Sequence, residues 1–522
     1  MSKRLWNIGF LSVLCLVVVG LMVGSAFAVP DMAEPQGKKN MKLIGYNDVQ
    51  GRETLQVTTN YDGDTGKFWA FIGHHNRGSH QTIHYNPLTA RNEENGTTIL
   101  DTTDPSNPIV VAHIPNFAFS GPTGAGGDPC CNQENRNSRS TSVVFNFMGQ
   151  GKDILVRNSE GSGTWYFEVF DITDIIRGNN PVGYHKIGNL GATNLGDLVG
   201  NAHKGYLSES GFYYGAAGED SSTFTSGAHL VVWDIRYVAT MDEGDYGWTN
   251  ELGAGHFVGR AFLNQQKLTN PDPQSLTWHH PIVDEDNSRV YGAYLSGGNV
   301  VSVDIDFHDG APNPNGKRFP IVWKIDNQPP YSGTHTVAPV YYDSVINFGS
   351  EGGPSEPRIY ALVSDEGTGG SILCSSDIRQ KAYMFDITDA DETGVPYPME
   401  TWQVPDLSDG TDYCAKGGRF GPHQFNETVN AHINPFTEKI AFFAYFNAGV
   451  RTIDISDPAN MKEVGYYVPK ANANCSGVTP DQDEAGYKVI QINDVDADAR
   501  NLVNATDRVG CGFFILQFTK WP

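Results

Sequence analysis

Cysteine, basic charge, long apolar runs and helical periodicity are all scarce in this 522-residue chain. With seven cysteines the chain is no disulfide-dense scaffold, because its 39% hydrophobic content can build a core without staples. Thirty-six Lys and Arg against 60 Asp and Glu leave a formal charge of −24, which argues against nucleic acid and anionic membrane surfaces as partners. Only the stretch from Ile8 to Val23 is apolar for long, so nothing after it reads as a membrane span. No sustained helical period follows, which excludes bundles and doubly wound folds. Neither GxSxG nor HExxH occurs, and the glycine-rich stretch from Gly121 to Gly127 lacks the lysine and following helix of a phosphate cradle.

The apolar stretch has its own meaning. Lys3 and Arg4 precede it and Ala26-Phe27-Ala28 follows, the pattern of a secretory signal over residues 1–28 cleaved after Ala28. The expected product is periplasmic or secreted, with no membrane association after cleavage. Residues 29–40 read as an N-terminal linker and 41–522 as one folded domain.

What the chain does have is a recurring phrase: an apolar pair, Asp, Ile, then Ser or Thr and another Asp. Copies stand at Asp101 (ILDTTDPSNP), Asp171 (VFDITD), Asp234 (VWDI), Asp304 (SVDI), Asp386 (MFDITD) and Asp454 (TIDISDP), with a decayed one at Gln517 (ILQFTK). Spacings of 70, 63, 70, 82, 68 and 63 residues, filled with short alternating runs between Gly, Asn, Asp and Pro clusters, suit a four-stranded antiparallel blade and its loops. Each Asp is expected to end a third strand and cap the turn with its carboxylate.

ILDTTDPSNPIVVAHIP and VRTIDISDPANMKEVGYYVP resemble the LVIVD repeats of secreted β-propellers. That resemblance implies an all-β, seven-bladed β-propeller and an exported compartment, and no single reaction. The run Gly512 to Phe518 reads as the third strand of blade 7. Lys42-Leu43-Ile44-Gly45-Tyr46 copies the fourth-strand phrase Glu463-Val464-Gly465-Tyr466-Tyr467, so an N-terminal strand is expected to complete that blade and remove open sheet edges. Residues 116–138, 238–276, 343–357 and 391–422 are longer than hairpin geometry requires.

Six cysteines follow the signal. Strand order places Cys374 and Cys414, and likewise Cys475 and Cys511, in loops of one face, where each pair can bond; Cys130 and Cys131 form a vicinal disulfide or stay as thiols.

In a propeller blade, residues opening strand one and closing strand two share a face around the channel mouth. Strand-one openings supply His203, His279, His280, His335 and His423, with His432 as an alternate in the same blade. Strand-two ends supply His74, His75, Glu160, Glu219, Asp220, Asp365 and Glu366. A single histidine at such a place usually bonds a backbone carbonyl or water. Repetition around a ring instead gives a donor set for copper, zinc, iron or manganese.

The expected metal ligands are His74, His75, His203, His280, His335 and His423. Glu219 or Asp365 would act as the catalytic base, with Glu160, Asp220, His279, Glu366 and His432 as alternates or supports. Asp494-Val-Asp496-Ala-Asp498 begins like a calcium loop, but Ala505 stands where the last ligand belongs, which favours a solvated acidic turn. In architecture and histidine usage the chain is similar to exported copper oxidoreductases such as the methanethiol-oxidising selenium-binding family. Two functions are expected from this pattern: a metal-dependent oxidoreductase acting on a small molecule at the channel mouth, or a non-catalytic binding scaffold.

Overall fold

In the computed structural model seven antiparallel sheets are arranged as the blades of a β-propeller. The structure describes residues 35–75, 83–116, 138, 140–159, 166–190, 202–218, 228–241, 257–261, 278–295, 298–306, 317–325, 333–343, 357–366, 381–404, 410–413, 415–426, 439–475 and 489–521. The signal segment, Cys130, Cys131, Cys374, Cys414, Glu160, Glu219, Asp220, His432 and most of 116–138, 238–276 and 343–357 lie outside these residues, whereas most of 391–422 lies within them. Phe257–Ala261 and Tyr397–Trp402, inside two of the four long stretches, are the fourth strands of blades 3 and 5.

Blade 1 runs Thr54–Asp62, Lys67–His74, Gly96–Asp101 and Ile109–Pro115, from channel to rim. Blades 2 to 5 repeat this order, and blade 3 adds a short parallel strand, Lys317–Arg318, outside its fourth. All six Asp residues of the repeated phrase are the last residue of a third strand. Each accepts the backbone N–H two residues on, at 2.9–3.1 Å, from Thr103, Thr173, Arg236, Asp306, Thr388 and Ser456. The residue between them donates its own N–H back to the start of strand two, as Ile172 does to Asp153 and Ile455 to Lys439. The phrase is thus a turn that holds two hairpins in register.

Closure uses the N-terminus. Met41–Asn47 pairs along Phe513–Phe518 as the fourth, outermost strand of blade 7, with Leu502–Asp507 and Ile492–Ala497 on the channel side of that pair. Gly45 lies against the Pro105 carbonyl, where a Cβ would stand 2.0 Å from the oxygen, so the copied Gly is required there. Gly37–Lys39, within the stretch expected to be a linker, pairs with Lys462–Val468 and extends blade 6 outward. Cys475 and Cys511 form a disulfide beside this join.

Adjacent blades bury apolar faces between them. Trp69, Phe71 and Ile99 of blade 1 meet Val143, Leu155 and Phe170 of blade 2, and Val57 and Ile72 meet Phe513 and Ile515 of blade 7. At the channel, each innermost strand has an edge with no strand beyond it, and neighbouring side chains supply its partners. Ser140 and Ser142 of blade 2 accept from Gly205 and Leu207 of blade 3 at 3.3 and 2.8 Å. Asn493 Nδ2 donates to the Leu55 carbonyl, Asp494 accepts from Val57 N, and Asp496 accepts from Thr59 N and Oγ1, all at 2.8 Å. Asp494 and Asp496 therefore sit in a strand and hold blade 7 to blade 1; the acidic run is not the solvated turn expected of it. Among the described residues no helix is long and apolar enough to cross a membrane.

Candidate metal centre

Innermost strands in several blades begin with a bulge, which breaks side-chain alternation and re-aims the extra residue. The register shifts between Trp278 and Pro281 in blade 4, and between Thr334 and Thr336 in blade 5. The bulged positions are His279-His280 and His335. Blade 5 needs Gly333 beside its bulge: Glu366 N donates to the Gly333 carbonyl at 2.6 Å, and a Cβ on Gly333 would lie 2.5 Å from the Glu366 oxygen. That approach sets Glu366 next to His335.

Blades 3 and 6 present a matched pair. His203 N and His423 N each donate at 3.0 Å to an alanine carbonyl of strand two, Ala216 and Ala444. Those alanines return an N–H at 2.8 Å to Lys204 and Gln424.

These placements gather imidazoles from four consecutive blades. His203 Nε2 stands 2.8 Å from His279 Nε2. Ring centroids are 4.3 Å apart for His203 and His279, 3.8 Å for His279 and His335, and 4.1 Å for His335 and His423. Glu366 reaches His423 Nε2 at 3.5 Å and His335 Nε2 at 3.7 Å, and pairs with Arg419. His423 Nδ1 bonds the Asn493 carbonyl, which fixes the ring with Nε2 toward the cluster. Beyond His423 lie Phe446, at 5.1 Å between ring centroids, then Arg508 over Phe446 at 5.8 Å and His75 Nε2 at 3.4 Å from Arg508. Six blades thus contribute to the belt around the opening.

Burial decides the charge states. It pushes the His279 and His335 imidazoles well below their ordinary pKa, and neighbouring imidazoles push the same way. Burial also lowers His423, against the pull of Glu366. For Glu366 burial opposes ionisation, but His423 and the Arg419 guanidinium outweigh it and hold the carboxyl well below the usual carboxylate range. The result is neutral imidazoles at His279, His335 and His423 beside one carboxylate, the protonation state a metal requires. Donor atoms of His279, His335 and Glu366 lie within 4.8 Å of one another. His279 Nδ1 and His335 Nε2 have no hydrogen-bond partner among the described residues. Buried nitrogens of this kind fit a bound cation better than an apolar pocket.

The other expected residues fall elsewhere. His74 is fully buried inside blade 1, its Nδ1 3.0 Å from the Glu53 carbonyl and its Nε2 2.7 Å from Thr98 Oγ1, which also bonds His113. His280 is fully buried, and its neighbour His279 makes the ring contacts of the cluster. Asp365 turns into blade 5, where Tyr383 OH donates to it at 2.9 Å. Lys204, Gln424, Arg419, Phe446 and Arg508 are part of the belt and carried no expectation. The parallel phrases NAHKG and GPHQF could have pointed to Lys204 and Gln424, one place after each histidine.

Residues 437–468, in blade 6, match the LVIVD repeat, so the protein is a seven-bladed β-propeller that carries this repeat. No curated protein matches the chain. Among solved structures it is similar to a protein from Lactobacillus plantarum, at 10% identity and a TM-score of 0.44, covering 84% of this chain and 88% of that one. It is likewise similar to a hypothetical selenium-binding protein from Sulfolobus tokodaii, at 10% identity and a TM-score of 0.42, covering 81% of each. The soluble aldose sugar dehydrogenase from Escherichia coli follows at 8% identity and a TM-score of 0.35, covering 92% and 99%. The ring itself rests on this chain's own strand pairing.

Proposed function

We propose that this is an exported metal-binding propeller whose centre lies among His203, His279, His335, His423 and Glu366, and that it acts as an oxidoreductase on a small molecule entering the channel mouth. The observation that carries the reading is the convergence of His279, His335 and Glu366 donor atoms within 4.8 Å, from segments far apart in sequence. Imidazole and carboxylate donors suit copper, iron, manganese or zinc. A bound copper, iron or manganese ion would supply one-electron chemistry there. The chain's own residues do the rest. His279, His335 and His423 offer lone pairs because burial keeps them neutral. Glu366 stays anionic beside Arg419, and Phe446 walls the site. The acidic surplus outside the site disfavours nucleic acid as a partner.

A non-catalytic binding scaffold is the second reading, favoured by the His203–His279 contact, in which one imidazole can satisfy another without metal. Metal analysis decides between them. Protein exported natively and dialysed without chelator should carry near-stoichiometric transition metal, and His279→Ala with His335→Ala should lose it. Full occupancy in that double variant, or metal-free wild type whose melting temperature ignores added Cu2+, Zn2+, Mn2+ and Fe2+, would overturn the proposal.

A further inference from the structure

Lys204 is 1% exposed and sits beside the imidazole cluster, one residue after His203. Its ammonium reaches from blade 3 to Gln424 Oε1 of blade 6, spanning the channel, since blades 4 and 5 lie between them in the ring. Among the described residues that neutral amide oxygen is its one hydrogen-bond partner. A buried ammonium ordinarily has a carboxylate, because an uncompensated charge is expensive away from water.

Among the described residues the carboxylates nearby are already committed. Glu366 pairs with Arg419, a cation in its own right. Asp365 accepts from Tyr383 OH and the Lys381 N–H inside blade 5. Lys204 follows His203 and its partner Gln424 follows His423, so the ammonium runs alongside the two ends of the imidazole cluster. Lys204 and Arg419 stand at the cluster against the single carboxylate of Glu366, and Arg508 lies further along the belt, so its described part carries a surplus of positive charge in a chain with 60 acidic and 36 basic residues. A metal ion in the cluster would enlarge that surplus.

The geometry points to a small anion, a carboxylate or comparable oxyanion, as the ligand of this site, with Lys204 as its recognition residue. This rests on the metal-centre reading for the location of the reaction, while the anion site itself stands on Lys204. The anion supplies the charge that the described residues withhold, and Gln424 holds the ammonium extended across the channel so that its remaining N–H groups serve the ligand. Lys204 is a binding residue in this assignment. Proton transfer is not asked of it.

The test uses full-length mature protein, metal-loaded and chelator-stripped, titrated calorimetrically with sodium formate and with formamide, its neutral counterpart. Both forms should bind formate at least tenfold more tightly than formamide. Lys204→Met should abolish that preference, Lys204→Arg should keep most of it, and metal content should be unchanged in both. A preference for formate that survives in Lys204→Met overturns the assignment, as does equal binding of formate and formamide by wild type. Should Lys204→Met fail to fold, the wild-type ratio alone decides. Wild type that carries no metal yet prefers formate would overturn the metal centre and leave the anion site standing.

Discussion

Replacing Asp494 and Asp496 by alanine should open the ring at the join between blades 7 and 1. Their carboxylates are 2% and 4% exposed and accept Val57 N, Thr59 N and Thr59 Oγ1, all at 2.8 Å. Hydrogen bonds to charged acceptors are worth about 1.5–3 kcal/mol each, and a buried donor stripped of its acceptor costs about 1–3 kcal/mol. Some of this is returned, because two carboxylates no longer have to be buried. A net loss of about 2–6 kcal/mol is expected, read as a lower urea midpoint. The asparagine pair should recover much of it, since an amide oxygen can still accept. Amide exchange should quicken first along Thr54–Asp62, the strand whose open edge these side chains cover. A double alanine variant with wild-type midpoint and unchanged exchange there would refute the account of how the innermost strands are satisfied.

Further outcomes follow from other parts of the molecule. Reducing the Cys475–Cys511 disulfide, which spans 36 residues, should cost about 3–4 kcal/mol by loop-closure entropy, seen as a fall in melting temperature with dithiothreitol and absent in the double serine variant. Burial, helped by the charge of Arg52, holds His113 well below its ordinary pKa. Its contribution to stability is therefore intact above about pH 6.5 and lost as the pH falls below it, at about 1.4 kcal/mol per pH unit. Metal-free His113→Gln should accordingly show a shallower decline of urea stability between pH 6.5 and 5 than metal-free wild type, and identical slopes would count against a neutral buried imidazole. Arg419→Met, which leaves Glu366 without its permanent cation, should weaken metal affinity roughly tenfold to hundredfold with the fold retained, checked by competition with a chromophoric chelator. Gly333→Ala should do the same by displacing Glu366 from His335; unchanged affinity would mean that the close approach is not what positions the carboxylate.

The architecture was legible because its signal is local. An Asp that ends a strand and accepts the N–H two residues on leaves the same phrase in every unit, and the copied Gly45 and Gly465 mark fourth strands at opposite ends of the sequence. The histidine belt was legible only to the level of which loops meet. Strict alternation lets only one of His279 and His280 aim inward, and the bulge at the start of blade 4 decides for His279. His74 and His75 looked interchangeable, yet His74 finds Glu53 and Thr98 within its own blade while His75 meets Arg508 of blade 7. The acidic run at Asp494 carries no sign of its role because its partners, Val57 and Thr59, lie more than four hundred residues away and, apart from Thr59 Oγ1, act through backbone N–H groups, which no side-chain pattern reports.

The strand that finishes blade 7 is translated long before anything exists for it to join: Tyr46 donates to the carbonyl of Cys511, 465 residues later. Until then it is a bare ribbon of alternating apolar side chains, the kind of segment that strays into non-native sheets or is held by a chaperone. Assembly of the torus must therefore finish where synthesis started, when one continuous stretch zips Gly37–Lys39 onto blade 6 and Met41–Asn47 onto blade 7.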